Sequence, residues 1–287
     1  MVFAEQPAVV GHRGFGRDTS SGYRENTVES CLAAADAGLP WIEIDAQRTA
    51  DDQLVLRHDW TAPDGSYIVD RTATELTGQG IALLADVLDA VPPEIGIDID
   101  VKTVLADATD PKARRTGALV AAALSAESRR RRLLVTSFNP GLLVGLRPDL
   151  PGVAFGLLTW LYFPPQLGIP AVADLGLDVI GLHTASLRPV EQAASAPDTT
   201  GGDRHPFPAA AEAVAAAHEA GLDVIVWCPQ PATVVHYAAA GADALVVDDV
   251  PGTLAAFAEQ GHMSSWTVQR GCPREPSCRS SEADCIQ

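Results

Sequence analysis

The sequence predicts an α/β chain folded as a single (β/α)8 barrel with a short insertion after the second strand. Three observations carry this. A helix-like run ending at glycine and followed at once by an apolar run occurs four times, at Gly38, Gly176, Gly221 and Gly241. Glycine closes a helix in the left-handed conformation, and a continuous apolar run after it reads as a buried parallel strand. Other strand-like runs bring the total to eight within about 250 residues, the number a closed barrel needs. A doubly wound open sheet is disfavoured because the first strand is followed by Gly11-His12-Arg13-Gly14, which is no G-x-G-x-x-G.

In order along the chain, strand one is predicted at 8–11 and a helix at 27–37. There Val28, Cys31, Leu32 and Ala35 share one stripe at helical spacing. Strand two follows at 41–45, and residues 59–80 read as an inserted excursion. Strands three to six fall at 95–101, 133–137, 153–158 and 179–183. The segment 188–208, with Ser-Ala-Pro-Asp-Thr-Thr-Gly-Gly, reads as a mobile loop. A helix at 209–220, strand seven at 224–227, a helix at 231–240 and strand eight at 244–248 complete the barrel. Residues 1–260 are therefore expected to form the barrel domain, and 261–287 a polar, disordered tail.

Of 287 residues, 47% are hydrophobic and 20% charged, which excludes wholesale disorder. A net charge of −17 argues against a nucleic-acid-binding surface, which needs a basic stripe. The uncharged stretch 150–173 is interrupted by Pro151, Pro164, Pro165 and Pro170, so no transmembrane helix is expected. With no signal-peptide pattern at the start and five cysteines in no paired framework, the expected location is the cytoplasm. Arg129 to Arg132 read as the solvated last turn of a helix. Cys272, Cys278 and Cys285 match no zinc spacing, Cys31 reads as core, and Cys228 as packing.

Barrel chemistry sits where strands end and βα loops begin. The strand ends here carry His12, Arg13, Glu43, Asp45, Asp98, Asp100, Lys102, Ser137, His183, Trp227, Asp248 and Asp249. Side chains alternate along a strand, so Glu43, Asp45 and Gln47 share the face opposite Ile42 and Ile44. Asp98, Asp100 and Lys102 likewise face inward, and Ile97, Ile99 and Val101 face the helices. Several inward carboxylates require a compensating cation, and carboxylate ligands favour Mg²⁺ or Ca²⁺ over zinc. His12 and His58, each beside Arg or Asp, form a pair suited to giving and taking a proton. His183 reads as structural; Asp248 and Asp249 read as support for the pocket floor and for the start of the next helix.

The residues His12-Arg-Gly14, Glu25-Asn-Thr27, Glu43-Ile-Asp45, His58-Asp59, Ile99-Asp-Val-Lys102, Thr136-Ser-Phe138, Trp227 and Asp248-Asp-Val-Pro251 together resemble the glycerophosphodiester phosphodiesterase family. The match runs from about Val10 to Phe257. It implies a TIM barrel of the phosphatidylinositol-phospholipase-C-like phosphodiesterase type. It also implies metal-dependent hydrolysis of glycerophosphodiesters to sn-glycerol 3-phosphate and an alcohol. By the same resemblance Glu43, Asp45 and Asp100 bind the ion, and His12 and His58 are the acid/base pair. Arg13 and Lys102 hold phosphate oxygens, Glu25 and Asn26 line the same pocket, and Trp227 packs on the glycerol.

The chain departs from the family pattern at Asp100, where Glu is usual, and at Trp227-Cys-Pro-Gln230, where Trp-Thr-x-Asn is common. Two alternatives stay open: a lysophospholipase D activity on the same site, and a barrel that binds phosphodiesters without turning them over. Trp160, Tyr162 and Phe163 could offer transient lipid contact at the rim. The sequence leaves the oligomeric state open.

Overall fold

The computed structural model describes residues 1–17, 22–190 and 206–260. The predicted tail 261–287 lies outside these, as does most of the predicted loop 188–208. Nine strands are formed among the described residues: β1 (Ala8–Gly11), β2 (Trp41–Arg48), β3 (Leu54–Leu56), β4 (Gly96–Val101), β5 (Leu133–Ser137), β6 (Ala154–Leu158), β7 (Val179–His183), β8 (Asp223–Trp227) and β9 (Ala244–Val247). All but β3 are parallel, and pairing of β1 with both β2 and β9 closes them into a barrel. The predicted fold class is therefore the observed one.

The helices are α1 (Val28–Asp36), α2 (Ala73–Thr77), α3 (Leu84–Ala90), α4 (Thr116–Glu127), α5 (Pro140–Leu146), α6 (Pro165–Asp174), α7 (Ala210–Glu219), α8 (Pro231–Ala239) and α9 (Val250–Glu259). Their starts are written locally. Thr27 caps α1 by accepting from the Ser30 amide, Asn139 caps α5 through Leu142, and Asp249 caps α9 through Gly252. No helix among the described residues is long and apolar enough to cross a membrane.

Two apolar layers position the site. The outward residues of the strands, such as Ile42, Ile44, Ile97, Ile99 and Val224, pack under the helices. The inward residues at the strand starts, Trp41, Leu134, Val179 and Ile225, form a floor with Phe3. Trp41 meets Phe3 edge-on, with ring centroids 5.2 Å apart. In register beside Trp41 stands Gly96, and a Cβ there would run into the indole ring. Moving up the inward face of β2, Trp41 is followed by Glu43, Asp45 and Gln47. On β4, Gly96 is followed by Asp98 and Asp100, with Lys102 just past the strand end. The barrel interior is apolar below and charged above.

Two features differ from expectation. The chain after β2 does not simply extend: it turns at Asp52 (φ 60°) and returns as β3, antiparallel to β2. The insertion then packs its own small core of Val55, Ala62, Ile68, Leu76 and Ile81. The arginine run 129–132 is not the last turn of a helix, because α4 ends at Glu127, and of its four residues Arg129 and Arg130 are exposed. Arg131 is buried, paired with Glu127 at 2.8 Å and donating to the carbonyls of Leu88 and Val91.

Candidate active site

The carboxylates at the upper inward positions of β2 and β4 are neighbours because the two strands pair in parallel register, Glu43 with Asp98 and Asp45 with Asp100. One oxygen each of Glu43, Asp45 and Asp100 lies within 4.8 Å of the other two. All three side chains are buried. Asp98 accepts a hydrogen bond from the Thr136 hydroxyl at 2.8 Å.

The turn after β1 supplies the groups that hold them. The Arg13 amide donates to Glu43 Oε2 at 2.8 Å, and its guanidinium lies 3.4 Å from Asp45 and 2.9 Å from Glu25. Asn26 grips Asp45 twice: its side-chain amide donates to Oδ2 at 2.8 Å and its Oδ1 accepts from the Asp45 amide at 3.0 Å. Arg13 (φ 54°) and Asn26 (φ 55°) both occupy the left-handed region, at a cost of about 1–3 kcal/mol each. Such strain persists only where surrounding bonds over-determine it, as these do. Lys102 Nζ sits 3.0 Å from Asp45 and also donates to Asp100.

These charges set the protonation tendencies. Burial, reinforced by Asp45, Asp98 and Asp100, pushes Glu43 well above its ordinary value. Burial would raise Asp45 too, but Lys102 and Arg13 hold it down to about 2. Burial outweighs Lys102 at Asp100 and the Thr136 hydroxyl at Asp98, and both carboxyls are raised. Lys102 and Arg13 answer only part of the negative charge, and the strain falls on Glu43, Asp98 and Asp100.

His12 stands just above Glu43, with Nε2 3.8 Å from Oε2, and its Nδ1 meets Asp248 Oδ1 at 2.6 Å. Burial works against ionised Asp248, yet the His12 hydrogen bond, Arg17 and the Cys228 thiol hold it below its ordinary value. His58 arrives from the other side on the residues after β3 and pairs with Asp59 at 2.9 Å. Gln47 anchors that segment by donating to the carbonyls of Arg57 and Asp59, both at 2.7 Å. The third wall is aromatic. Phe138 stacks on Trp160 at 4.3 Å and meets Trp227 edge-on at 5.9 Å, and Trp227 meets His183 at 4.3 Å.

One cavity of about 880 Å³ gathers His12, Arg13, Glu43, Asp45, His58, Asp100, Lys102 and Trp227 on its lining. Glu25 and Asn26 are not on that lining; they stand behind it, holding Arg13 and Asp45. A groove of about 900 Å³ at the opposite end of the strands runs past Arg129 to Arg132 and Arg147. It contains no carboxylate–histidine cluster of this kind. Cys228, at φ 59°, turns its thiol toward Asp248, and burial with that neighbour pushes the thiol up to about 12, so it donates a hydrogen bond there. Sequence reasoning gave Asp248 to the pocket floor and missed its bond to His12. Its place at the inward end of the last strand, next to the first in a closed barrel, is the signal that could have found it.

The glycerophosphoryl diester phosphodiesterase family model matches residues 12–251. Among curated relatives, a glycerophosphocholine phosphodiesterase of Candida albicans is 43% identical over 60 residues, 20% of this chain and 5% of the relative. The Schizosaccharomyces pombe enzyme of the same name is 36% identical over 80 residues, 26% of this chain and 6% of that protein. The aligned region thus spans about a twentieth of these relatives' length. Two solved structures share the fold. A glycerophosphodiester phosphodiesterase from Thermotoga maritima has a TM-score of 0.64 at 21% identity, covering 88% of this chain and 98% of that one. An Oleispira antarctica phosphodiesterase, solved with its product sn-glycerol-3-phosphate, has a TM-score of 0.68 at 20% identity, covering 88% and 97%. With the model matched from the first catalytic-side histidine to the start of the last helix, the chain belongs to the glycerophosphoryl diester phosphodiesterase family.

Proposed function

We propose that this chain is a divalent-metal-dependent phosphodiesterase that cleaves glycerophosphodiesters to sn-glycerol 3-phosphate and an alcohol, with residues 1–260 as its catalytic barrel. The observation that carries the reading is the convergence of Glu43, Asp45 and Asp100 to within 4.8 Å in the cavity that also holds both histidines. The donor set fits a hard cation: all oxygen, buried, and including Asp100 Oδ1, a buried atom with no hydrogen-bond partner. Mg²⁺ or Ca²⁺ held by these three residues would neutralise charge on the phosphoryl oxygens.

The chain's own groups do the rest. Arg13 presents a guanidinium to the phosphate, positioned by Glu25. Lys102 shares its ammonium between Asp45 and Asp100 and offers it to the same oxygens. His12 gives its Nδ1 hydrogen to Asp248, which leaves Nε2 as the nitrogen that exchanges a proton within the cavity. His58, oriented through Nδ1 by Asp59, exchanges the second proton at its own Nε2. One histidine activates the attacking hydroxyl or water, and the other protonates the leaving alkoxide. Trp227 and Phe138 pack against the glycerol and exclude water from it.

The test is release of sn-glycerol 3-phosphate from glycerophosphocholine with Mg²⁺ or Ca²⁺, before and after EDTA. Release that EDTA abolishes and added metal restores is expected. No release with any metal, with ligand binding retained, would favour a barrel that binds without turnover. A second reading, action on lysophospholipids, draws on the rim, where Trp160 is 62% and Tyr162 67% exposed beside Leu161. On that reading Trp160→Ala slows a lysophospholipid severalfold and leaves glycerophosphocholine unchanged, and equal effects on both count against it.

A further inference from the structure

The same cavity contains a second donor set of different chemistry. His12, Cys228 and Asp248 each bring one ligand atom to within 4.8 Å of the other two. The three come from separate places, the turn after β1, the turn after β8 and the end of β9, and all line the cavity. We propose that His12, Cys228 and Asp248 form a soft metal site that takes Zn²⁺, and that filling it silences His12.

Ligand chemistry separates this set from the one beside it. Glu43, Asp45 and Asp100 offer oxygen alone, which suits Mg²⁺ or Ca²⁺. A thiolate, an imidazole and a carboxylate suit Zn²⁺. Three protein ligands with a fourth position open to the cavity is the arrangement of an accessible zinc site. The backbone favours it: Cys228 adopts φ 59°, a conformation that costs a non-glycine residue energy, and it directs the thiol at Asp248. The amide of Cys228 is fixed by donating to the Val246 carbonyl at 2.9 Å, so the turn is anchored to β9.

Binding rearranges hydrogens in a definite way. The Cys228 thiol loses its proton to solvent, and the sulfur lone pair then binds the ion. His12 binds as neutral imidazole through Nδ1, with its hydrogen moved to Nε2. The His12–Asp248 hydrogen bond is replaced by bonds from each residue to the ion. His12 then holds a hydrogen on Nε2 that it cannot pass to Nδ1, and it can no longer exchange protons in the cavity. The inhibition rests on the role proposed above for His12; the binding does not.

Cobalt(II) serves as the spectroscopic stand-in for zinc, with the full chain as it is. Wild type is expected to develop a near-ultraviolet thiolate-to-cobalt charge-transfer band that Zn²⁺ bleaches. Cys228→Ser should lose that band and weaken Zn²⁺ inhibition by about tenfold or more, with the Mg²⁺ or Ca²⁺ requirement unchanged. In wild type alone, X-ray absorption at the bound Zn²⁺ should show a sulfur ligand at about 2.3 Å. That measurement stands even if the variant folds poorly. An undiminished band in Cys228→Ser, traceable to the other cysteines, or a bound Zn²⁺ with no sulfur ligand overturns the site. A zinc-sensitive band in a protein that releases no sn-glycerol 3-phosphate would sink the catalytic reading and leave the site standing.

Discussion

The proton exchange proposed for His12 and His58 is tested most sharply at the scale of single residues. Replacing either with alanine should lower kcat by about a hundredfold or more, as loss of a positioned acid or base does. Near-full activity in one variant would remove that histidine from the mechanism. Asp45→Asn keeps the shape and the contact with Asn26 but gives up the charge that Lys102 and Arg13 hold ionised. It should raise the metal concentration for half-maximal activity by about tenfold or more, measured by metal titration. An unchanged midpoint would take Asp45 out of the ligand set. Most of this is legible in the sequence, because alternation along a strand assigns Glu43, Asp45, Asp98 and Asp100 to one face without reference to any fold. What is not legible is who holds whom. Asn26 and Glu25 share the His-Arg-Gly neighbourhood in sequence, yet they act from behind the cavity wall, and that distinction depends on the left-handed turns at Arg13 and Asn26.

At the scale of elements, the match of one large side chain to one absent one sets the height of the charged layer. Trp41 and Gly96 lie side by side in the β2–β4 register, one step below Glu43 and Asp98. Gly96→Ala pushes a methyl into the indole and should destabilise the fold by about 1–3 kcal/mol, the usual cost of overpacking a filled core. A denaturant midpoint equal to wild type would mean that the floor yields freely. The glycine-then-strand repeats make the barrel strands readable because each carries its own stop signal and its own apolar run. The hairpin of β2 and β3 carries no comparable signal. Leu54–Leu56 is only three residues long, and its antiparallel return depends on the turn at Asp52 and on pairing Ala46 with Leu56. That return brings His58 to the cavity, so the sequence names the residue but not the path. The arginine run 129–132 misleads for a related reason. Composition suggests a solvated face, while the Glu127 carboxylate and two orphan carbonyls draw Arg131 inside.

For the whole molecule, the carboxylate cluster ties stability to pH and, on the proposed ligand set, to metal as well. Glu43, Asp98 and Asp100 have folded values raised above their ordinary 4.5, 3.8 and 3.8. A raised carboxyl holds its proton more tightly in the folded chain than in the unfolded one. Between the ordinary value and the raised one, stability therefore falls as pH rises. Asp45 and Asp248 are lowered and work the other way. Their contribution is full above 3.8 and is lost only as pH falls toward their folded values. Above pH of about 4 the ion-free protein should accordingly lose stability as pH rises through the folded values of the raised group. A divalent cation held there, as proposed, would bind the ionised carboxylates, so its stabilisation should grow across the same window. At about a hundred times its Kd, a bound ion adds about 2.7 kcal/mol, enough to raise Tm by roughly 5 °C in a chain of this size. We expect that increment near neutral pH and a clearly smaller one at a pH of about 5, where the same metal concentration competes with protons. Thermal unfolding with and without Mg²⁺ or Ca²⁺ at the two pH values measures it. Equal increments at both would place the ion away from Glu43 and Asp100, on groups whose protonation the fold does not bias.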